Sequence, residues 1–101
     1  MKETFALPAG KVREYENIFD ALRREVWEKT GLHITAIHGE EDKPIILSTF
    51  VCEAEGELLE RTNETENIRW MKREELKEIV GQEPESIFLM HVHALRKYLG
   101  V

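Results

Sequence analysis

The chain has 101 residues, with 14 Lys and Arg against 20 Asp and Glu, giving a formal net charge of −6. That length predicts a single domain over residues 1–101, and the negative charge disfavours binding to nucleic acid or to anionic lipid. No apolar run is long enough to cross a bilayer, the first residues lack the apolar segment of a signal peptide, and the single Cys52 has no partner for an internal disulfide, so we expect a cytoplasmic protein.

A loop and a helix are predicted first along the chain. The segment 7–10 reads Leu-Pro-Ala-Gly, which is typical of a loop. From about residue 16 to residue 30 apolar residues recur at the spacing of one helical face, and Gly31 is expected to end the helix in a left-handed conformation. The apolar positions of this helix are Ile18, Ala21, Leu22 and Val26.

Strands and two further helices are predicted downstream. Residues 32–36 alternate as a strand does, a turn is expected over 39–42, and the runs 44–54 and 67–71 are rich in strand-forming residues. A short helix is expected over 73–80, ended by Gly81, and a last helix from about Pro84. The apolar positions that would pack this last helix on a sheet are Phe88, Val92, Leu95 and Leu99.

These elements predict a layered α/β domain in which helices cover a small mixed sheet. About three strands are a thin platform for three helices. We therefore expect that part of the sheet lies upstream and is missing from this chain, which would leave an unpaired sheet edge and favour a homodimer.

Several residues of the predicted loop and first helix together suggest a metal site. Glu25 and Glu28 stand three residues apart and are neighbours on a helix, where two carboxylates repel each other unless a cation lies between them. Magnesium prefers such oxygen ligands, and the carbonyl of Ala9 in the glycine loop could add another. Because the chain is rich in Glu, a solvated helix face is the default interpretation of this pair taken alone.

The segment 10–32, GKVREYENIFDALRREVWEKTGL, resembles the Nudix box G-x5-E-x7-R-E-U-x-E-E-x-G-U, where U is a bulky aliphatic residue. Eight of the nine specified positions match without a gap, and the exception is Lys29, which stands where the box has a second Glu. The segment 7–11, Leu-Pro-Ala-Gly-Lys, is similar to family members that act on ADP-ribose and other nucleoside diphosphate sugars. A looser resemblance covers the acidic segment 64–70 and the helix that follows it.

The resemblance implies a Nudix (MutT-like) fold, an α/β/α sandwich with a small mixed sheet that here lacks some N-terminal strands. It also implies hydrolysis of a nucleoside diphosphate linked to another moiety, with Mg²⁺ or Mn²⁺ polarising the attacking water. The roles carried over by position are metal ligation by Glu25 and Glu28, proton abstraction by Glu25, Glu64 or Glu66, orientation of these carboxylates by Arg24, support of Arg24 by Glu16, and close approach of the loop at Gly10.

Lys29 favours a second interpretation. Glu25 and Lys29 form a favourable helical pair that needs no function, and an ammonium group near the metal would weaken metal binding. The alternative is therefore a catalytically impaired domain of the same fold that binds a nucleotide or a protein. The remaining candidates are expected to be structural: His91 and His93 cannot share a helix face, Cys52 lies in an apolar run, and tryptophans beside helices and strands usually pack.

Overall fold

The computed structural model describes residues 5–42, 48–62, 66–87 and 89–101. Within these ranges the chain is a mixed α/β protein with three α-helices, one short 3-10 helix and an antiparallel pair of strands. The elements in chain order are α1 (Ile18–Thr30), β1 (His33–Asp42), β2 (Thr49–Glu55), α2 (Arg73–Gln82), the 3-10 helix (Pro84–Ser86) and α3 (Leu89–Leu99).

The chain divides into two compact units. The first, called the α1 unit, consists of Pro8–Ile37 and Cys52–Arg69. The second, called the α2–α3 unit, consists of Met1–Leu7, His38–Val51 and Trp70–Val101. The single domain and the α/β/α layering stay predictions.

Helix α1 is confirmed, with both ends defined by local chemistry. The side chain of Asn17 accepts a hydrogen bond from the backbone N–H of Asp20 at 2.9 Å and donates one to its carboxylate at 2.8 Å, so the first turn is capped. Gly31 ends the helix with φ of 80°, as predicted, and its N–H donates to the carbonyl of Trp27. A Cβ at Gly31 would lie 2.6 Å from the side chain of Leu59, so both backbone conformation and space require glycine there.

The strands differ from the predicted ones in extent. The turn expected over 39–42 is wrong, since these residues continue β1. The second run is a strand over Thr49–Glu55, while residues 43–47 lie outside the described part. The strand expected over 67–71 is also wrong, because no strand occurs there and Asn67 adopts φ of 53°, which interrupts an extended backbone.

The sheet that the described residues form is an antiparallel pair rather than a mixed sheet. A single parallel bridge joins Phe5 to Ile87, outside the named strands. None of the helices in the described ranges is long and apolar enough to cross a membrane.

The buried core of the α2–α3 unit is built mainly by its helices. Helix α2 extends through Gly81 to Gln82, so the predicted stop at Gly81 is wrong. The last helix was expected from about Pro84, but Pro84–Ser86 form the 3-10 helix and α3 begins at Leu89. Phe88 lies outside the described residues. The other three predicted apolar positions of α3, Val92, Leu95 and Leu99, are buried. Among the described elements, α3 packs on α2 and on the 3-10 helix rather than on the strands. The buried cluster consists of Val80, Ile87, Val92, Leu95 and Leu99.

Candidate functional site

A tight turn before α1 brings the backbone of Arg13 against Glu16. The N–H of Arg13 donates to Glu16 Oε1 at 2.9 Å, and the N–H of Glu16 donates to the carbonyl of Arg13 at 3.1 Å. Tyr15 closes the turn with φ of 69°, a left-handed conformation that is unfavourable for an aromatic residue, and its side chain is fully exposed. The turn therefore fixes the Glu16 carboxylate just ahead of the helix.

Arg24 on α1 binds this carboxylate through two nitrogens. Its Nε donates to Glu16 Oε2 at 2.8 Å and its Nη2 donates to Glu16 Oε1 at 2.9 Å, the fork geometry that suits guanidinium and carboxylate. Nη2 also donates to the carbonyl of Lys11 at 2.9 Å, which fastens the preceding loop to the helix.

The remaining nitrogen of Arg24 reaches the two carboxylates predicted to bind metal. Nη1 donates to Glu25 Oε1 at 2.6 Å and to Glu28 Oε2 at 3.3 Å. The guanidinium has five N–H groups, and these contacts give it five acceptors. We call Glu16, Arg24, Glu25 and Glu28 the Arg24 cluster.

Electrostatics in the Arg24 cluster follow from this geometry. The side chains of Arg24, Glu16 and Glu25 are only 16%, 15% and 13% exposed, whereas that of Glu28 is 43% exposed. The Arg24 hydrogen bonds, followed by the backbone N–H of Arg13, lower the pKa of Glu16 from 4.5 to about 2. The hydrogen bonds to Glu16 and Glu25 raise the pKa of Arg24, so the guanidinium stays charged.

Gly10 is where the loop comes closest to the Arg24 cluster. A Cβ built on Gly10 would overlap the carboxyl group of Glu25, so any larger residue would have to displace that carboxylate. Gly10 is thus required for the position of a side chain rather than for a left-handed backbone, because its φ lies outside that region.

The donor chemistry of the Arg24 cluster fits a hard divalent cation, but it supplies few ligands. Glu25 and Glu28 offer carboxylate oxygens, which magnesium prefers, and both contact the same guanidinium nitrogen. Within the described ranges no three His, Cys, Asp or Glu side chains are grouped so that they could hold a metal ion. A cation here would therefore complete its coordination with water and with oxygens of a bound phosphate.

Among the described residues, no hydrogen bond or ion pair joins the side chain of Glu66 or the backbone of Ala9 to the Arg24 cluster. Ala9 is exposed in the loop, and Glu66 is exposed after β2. Glu64 lies outside the described residues. Lys29, the departure from the box, is partly buried in the last turn of α1. The functional roles of all these residues stay predictions.

Two contributors to the Arg24 cluster were missed by the sequence reasoning. Arg13 holds Glu16 through its backbone, and its Nη2 lies 3.6 Å from Glu28 Oε1. Lys11 contributes only its carbonyl oxygen. The spacing of Arg13 three residues before Glu16 could have indicated the turn, but a carbonyl contact leaves no signal in residue type.

The residues expected to be structural fall into two groups. His91 is buried, and its Nδ1 accepts a hydrogen bond from the N–H of Leu7 at 3.1 Å; burial lowers its pKa. Burial raises the pKa of the Cys52 thiol, so the reactive thiolate form is disfavoured and Cys52 is a poor nucleophile. Packing was expected of both tryptophans, but Trp70 is largely exposed, and Trp27 is half exposed with its ring stacked on His33 at 4.5 Å.

Comparison with known proteins identifies a domain family and a relative of this chain. The model of the NUDIX domain matches residues 1–91. A MutT-like protein of Streptomyces ambofaciens is 26% identical over 84 residues, which cover 78% of this chain and 54% of that protein. The chain thus spans about half the length of this relative. No solved structure matches the chain.

Proposed function

The chain belongs to the Nudix family, and from that premise we propose that it is a metal-dependent pyrophosphohydrolase. Its substrate class is a nucleoside diphosphate linked to another moiety. Nucleoside diphosphate sugars such as ADP-ribose come first, because the segment 7–11 is similar to that of family members acting on them.

The observation that carries this proposal is the set of hydrogen bonds that Arg24 donates. One guanidinium bonds three carboxylates and a loop carbonyl, which is far more organisation than an exposed helix face needs. Two of those carboxylates, on Glu25 and Glu28, are the predicted metal ligands. A solvated Glu-rich helix would leave such side chains independent of one another.

The residues divide the work by position. Glu25 and Glu28 would hold Mg²⁺ or Mn²⁺ through carboxylate oxygens, and Arg24 and Glu16 would keep these oxygens oriented. The bound cation would offset charge on the substrate phosphates and increase the acidity of an attacking water. Glu25, Glu64 and Glu66 are the candidates to take the proton of that water.

The test is magnesium-dependent cleavage across nucleoside diphosphate sugars, dinucleotides and nucleoside triphosphates. We expect products to form with magnesium, to disappear with a chelator, and to fall at least a hundredfold in Glu25→Gln. Glu78→Gln is the matched control, because Glu78 is an exposed carboxylate on α2. Hydrolysis that persists in Glu25→Gln would contradict the assigned site. Nucleotide binding without hydrolysis of any substrate would favour the binding domain instead.

A further inference from the structure

Arg13 places a cation at the exposed side of the Arg24 cluster, and it belongs to the same turn that fixes Glu16. Its backbone is held on both sides by the Glu16 contacts, so the residue is fixed while its side chain extends outward. The Arg13 side chain is 65% exposed, and its Nη2 lies 3.6 Å from Glu28 Oε1, beyond the length of a good hydrogen bond. The pair is therefore weak and easily exchanged for another partner.

Glu28 is shared between two guanidinium groups. Its Oε2 contacts Arg24 at 3.3 Å and its Oε1 contacts Arg13 at 3.6 Å. Arg24 has four further contacts that hold it in place, whereas the described ion pair of the Arg13 side chain is the one with Glu28. A cation that took Glu28 would consequently displace Arg13 more readily than Arg24.

The formal charges favour such an exchange. Three carboxylates and two guanidinium groups leave the Arg24 cluster and Arg13 together with one negative charge, which attracts a divalent cation. With the cation bound, the sum becomes positive and Arg13 has lost its carboxylate. A guanidinium released beside a positive centre is suited to two oxygens of a phosphate group.

We propose that Arg13 is a phosphate-binding residue that pairs with Glu28 in the free protein and exchanges this partner for a substrate phosphate when the cation binds. The inference rests on the proposed function for its substrate class. It predicts that Arg13 opposes metal binding in the free protein and promotes phosphate binding in the loaded protein. These two effects have opposite signs, and loss of structure would not produce them together.

The experiment measures binding by calorimetry, with magnesium alone and then with inorganic pyrophosphate at saturating magnesium. In Arg13→Gln we expect magnesium to bind about two- to fivefold more tightly, the range of an exposed ion pair, and pyrophosphate to bind about tenfold more weakly. Arg13→Lys should lie between the two proteins, because a lysine keeps the charge without the fork. In a Glu28→Gln background the magnesium gain of Arg13→Gln should vanish.

Arg23→Gln is the matched control for charge alone. Arg23 lies next to Arg24 on α1, but its guanidinium pairs with Asp20 at 3.7 Å. Its removal should change both affinities by less than about twofold, as expected of a screened surface charge. Equal shifts in Arg23→Gln and Arg13→Gln would overturn the proposal, and so would an Arg13→Gln protein that binds both ligands as the parent does.

The outcomes separate this inference from the proposed function. Opposite shifts in a protein that hydrolyses nothing would support Arg13 and refute the hydrolase. Magnesium-dependent hydrolysis, together with an unchanged KM and unchanged affinities in Arg13→Gln, would support the hydrolase and refute the role of Arg13. A parent protein that binds neither magnesium nor pyrophosphate would overturn both.

Discussion

Replacing Gly10 with alanine tests whether the loop and the Arg24 cluster act as one unit. The backbone of Gly10 lies outside the left-handed region, so alanine is allowed there. The added methyl group would overlap the carboxyl group of Glu25. Because that carboxyl group is the end of a flexible side chain, it should move while the backbone stays in place.

The size of the effect follows from contact distances. Carbon atoms in van der Waals contact are about 3.5–4.0 Å apart, so relieving the overlap moves the Glu25 carboxylate by more than about 1 Å. A misplacement of about 1 Å in a catalytic group can cost about a hundredfold in rate. The free energy of unfolding should change by less than about 1 kcal/mol. Alanine restricts the unfolded chain, which stabilises the folded state by about 0.4–1 kcal/mol and offsets part of the cost of moving the Glu25 side chain.

The assay compares turnover, apo magnesium affinity and melting temperature for Gly10→Ala and Gly81→Ala. Gly81 lies in α2 with open space where its Cβ would be. Alanine there should stabilise the protein by about 0.5–1 kcal/mol and leave turnover unchanged. A Gly10→Ala protein with full turnover would refute the reasoning, as would one that loses turnover only because it unfolds.

Three further predictions concern charge and assembly. Lys29→Glu should tighten magnesium binding and raise turnover. It should lower the free energy of unfolding by about 0.5–1 kcal/mol, because Lys29 is a favourable positive charge in the last turn of α1. Calorimetry measures the magnesium affinity and thermal unfolding the stability, and no gain in affinity would favour the binding-domain alternative. The pKa of Glu16 is lowered from 4.5 to about 2, so the unfolded chain binds more protons in this range and stability should decrease as the pH falls from 4.5 toward 2. Glu16→Gln should flatten that part of the melting-temperature profile, and an unchanged profile would refute the assignment. The two-stranded sheet of the described residues predicts self-association through a strand edge, so sedimentation at tens of micromolar should show a dimer, and a folded monomer would contradict this.

Helix α1 and its C-terminal end could be predicted from the sequence because their signals are local. Apolar spacing defines the helix and Gly31 ends it, whereas the capping of its start by Asn17 was not predicted. The contacts of Arg24 with Glu16 and Glu25 were expected only through the Nudix resemblance. Arg24 and Glu16 stand eight residues apart and have no local signature, and adjacent helix residues such as Arg24 and Glu25 do not ordinarily face each other.

The errors arose where local signals compete with longer-range structure. Gly81 looked like a helix stop, yet α2 continues through it to Gln82. The residues 67–71 were predicted as a strand, but Asn67 is left-handed and no strand occurs over 67–71. Val92, Leu95 and Leu99 of the predicted α3 face are buried, but apolar spacing does not reveal whether the surface that covers a helix is a sheet or another helix.

The four residues of the Arg24 cluster were all predicted as site residues, but Lys11 and Arg13, which contact the cluster from the loop, were not. Arg13 was missed because its part depends on a three-dimensional turn that brings its side chain to Glu28. Sequence spacing reports residues on one helix face, whereas a loop residue facing that helix is found only from the folded structure.

Isotope labelling tests the central claim most directly, namely that the Arg24 cluster directs water onto a pyrophosphate bond. ADP-ribose is incubated with the protein and magnesium in water enriched in ¹⁸O, and the masses of the products are measured by mass spectrometry. The account predicts two monophosphate products, one of which carries a single ¹⁸O, with label at least a hundredfold lower in Glu25→Gln and unchanged in Gly81→Ala. Equal labelling in Glu25→Gln, or none from ADP-ribose or any other nucleoside diphosphate derivative, would contradict it.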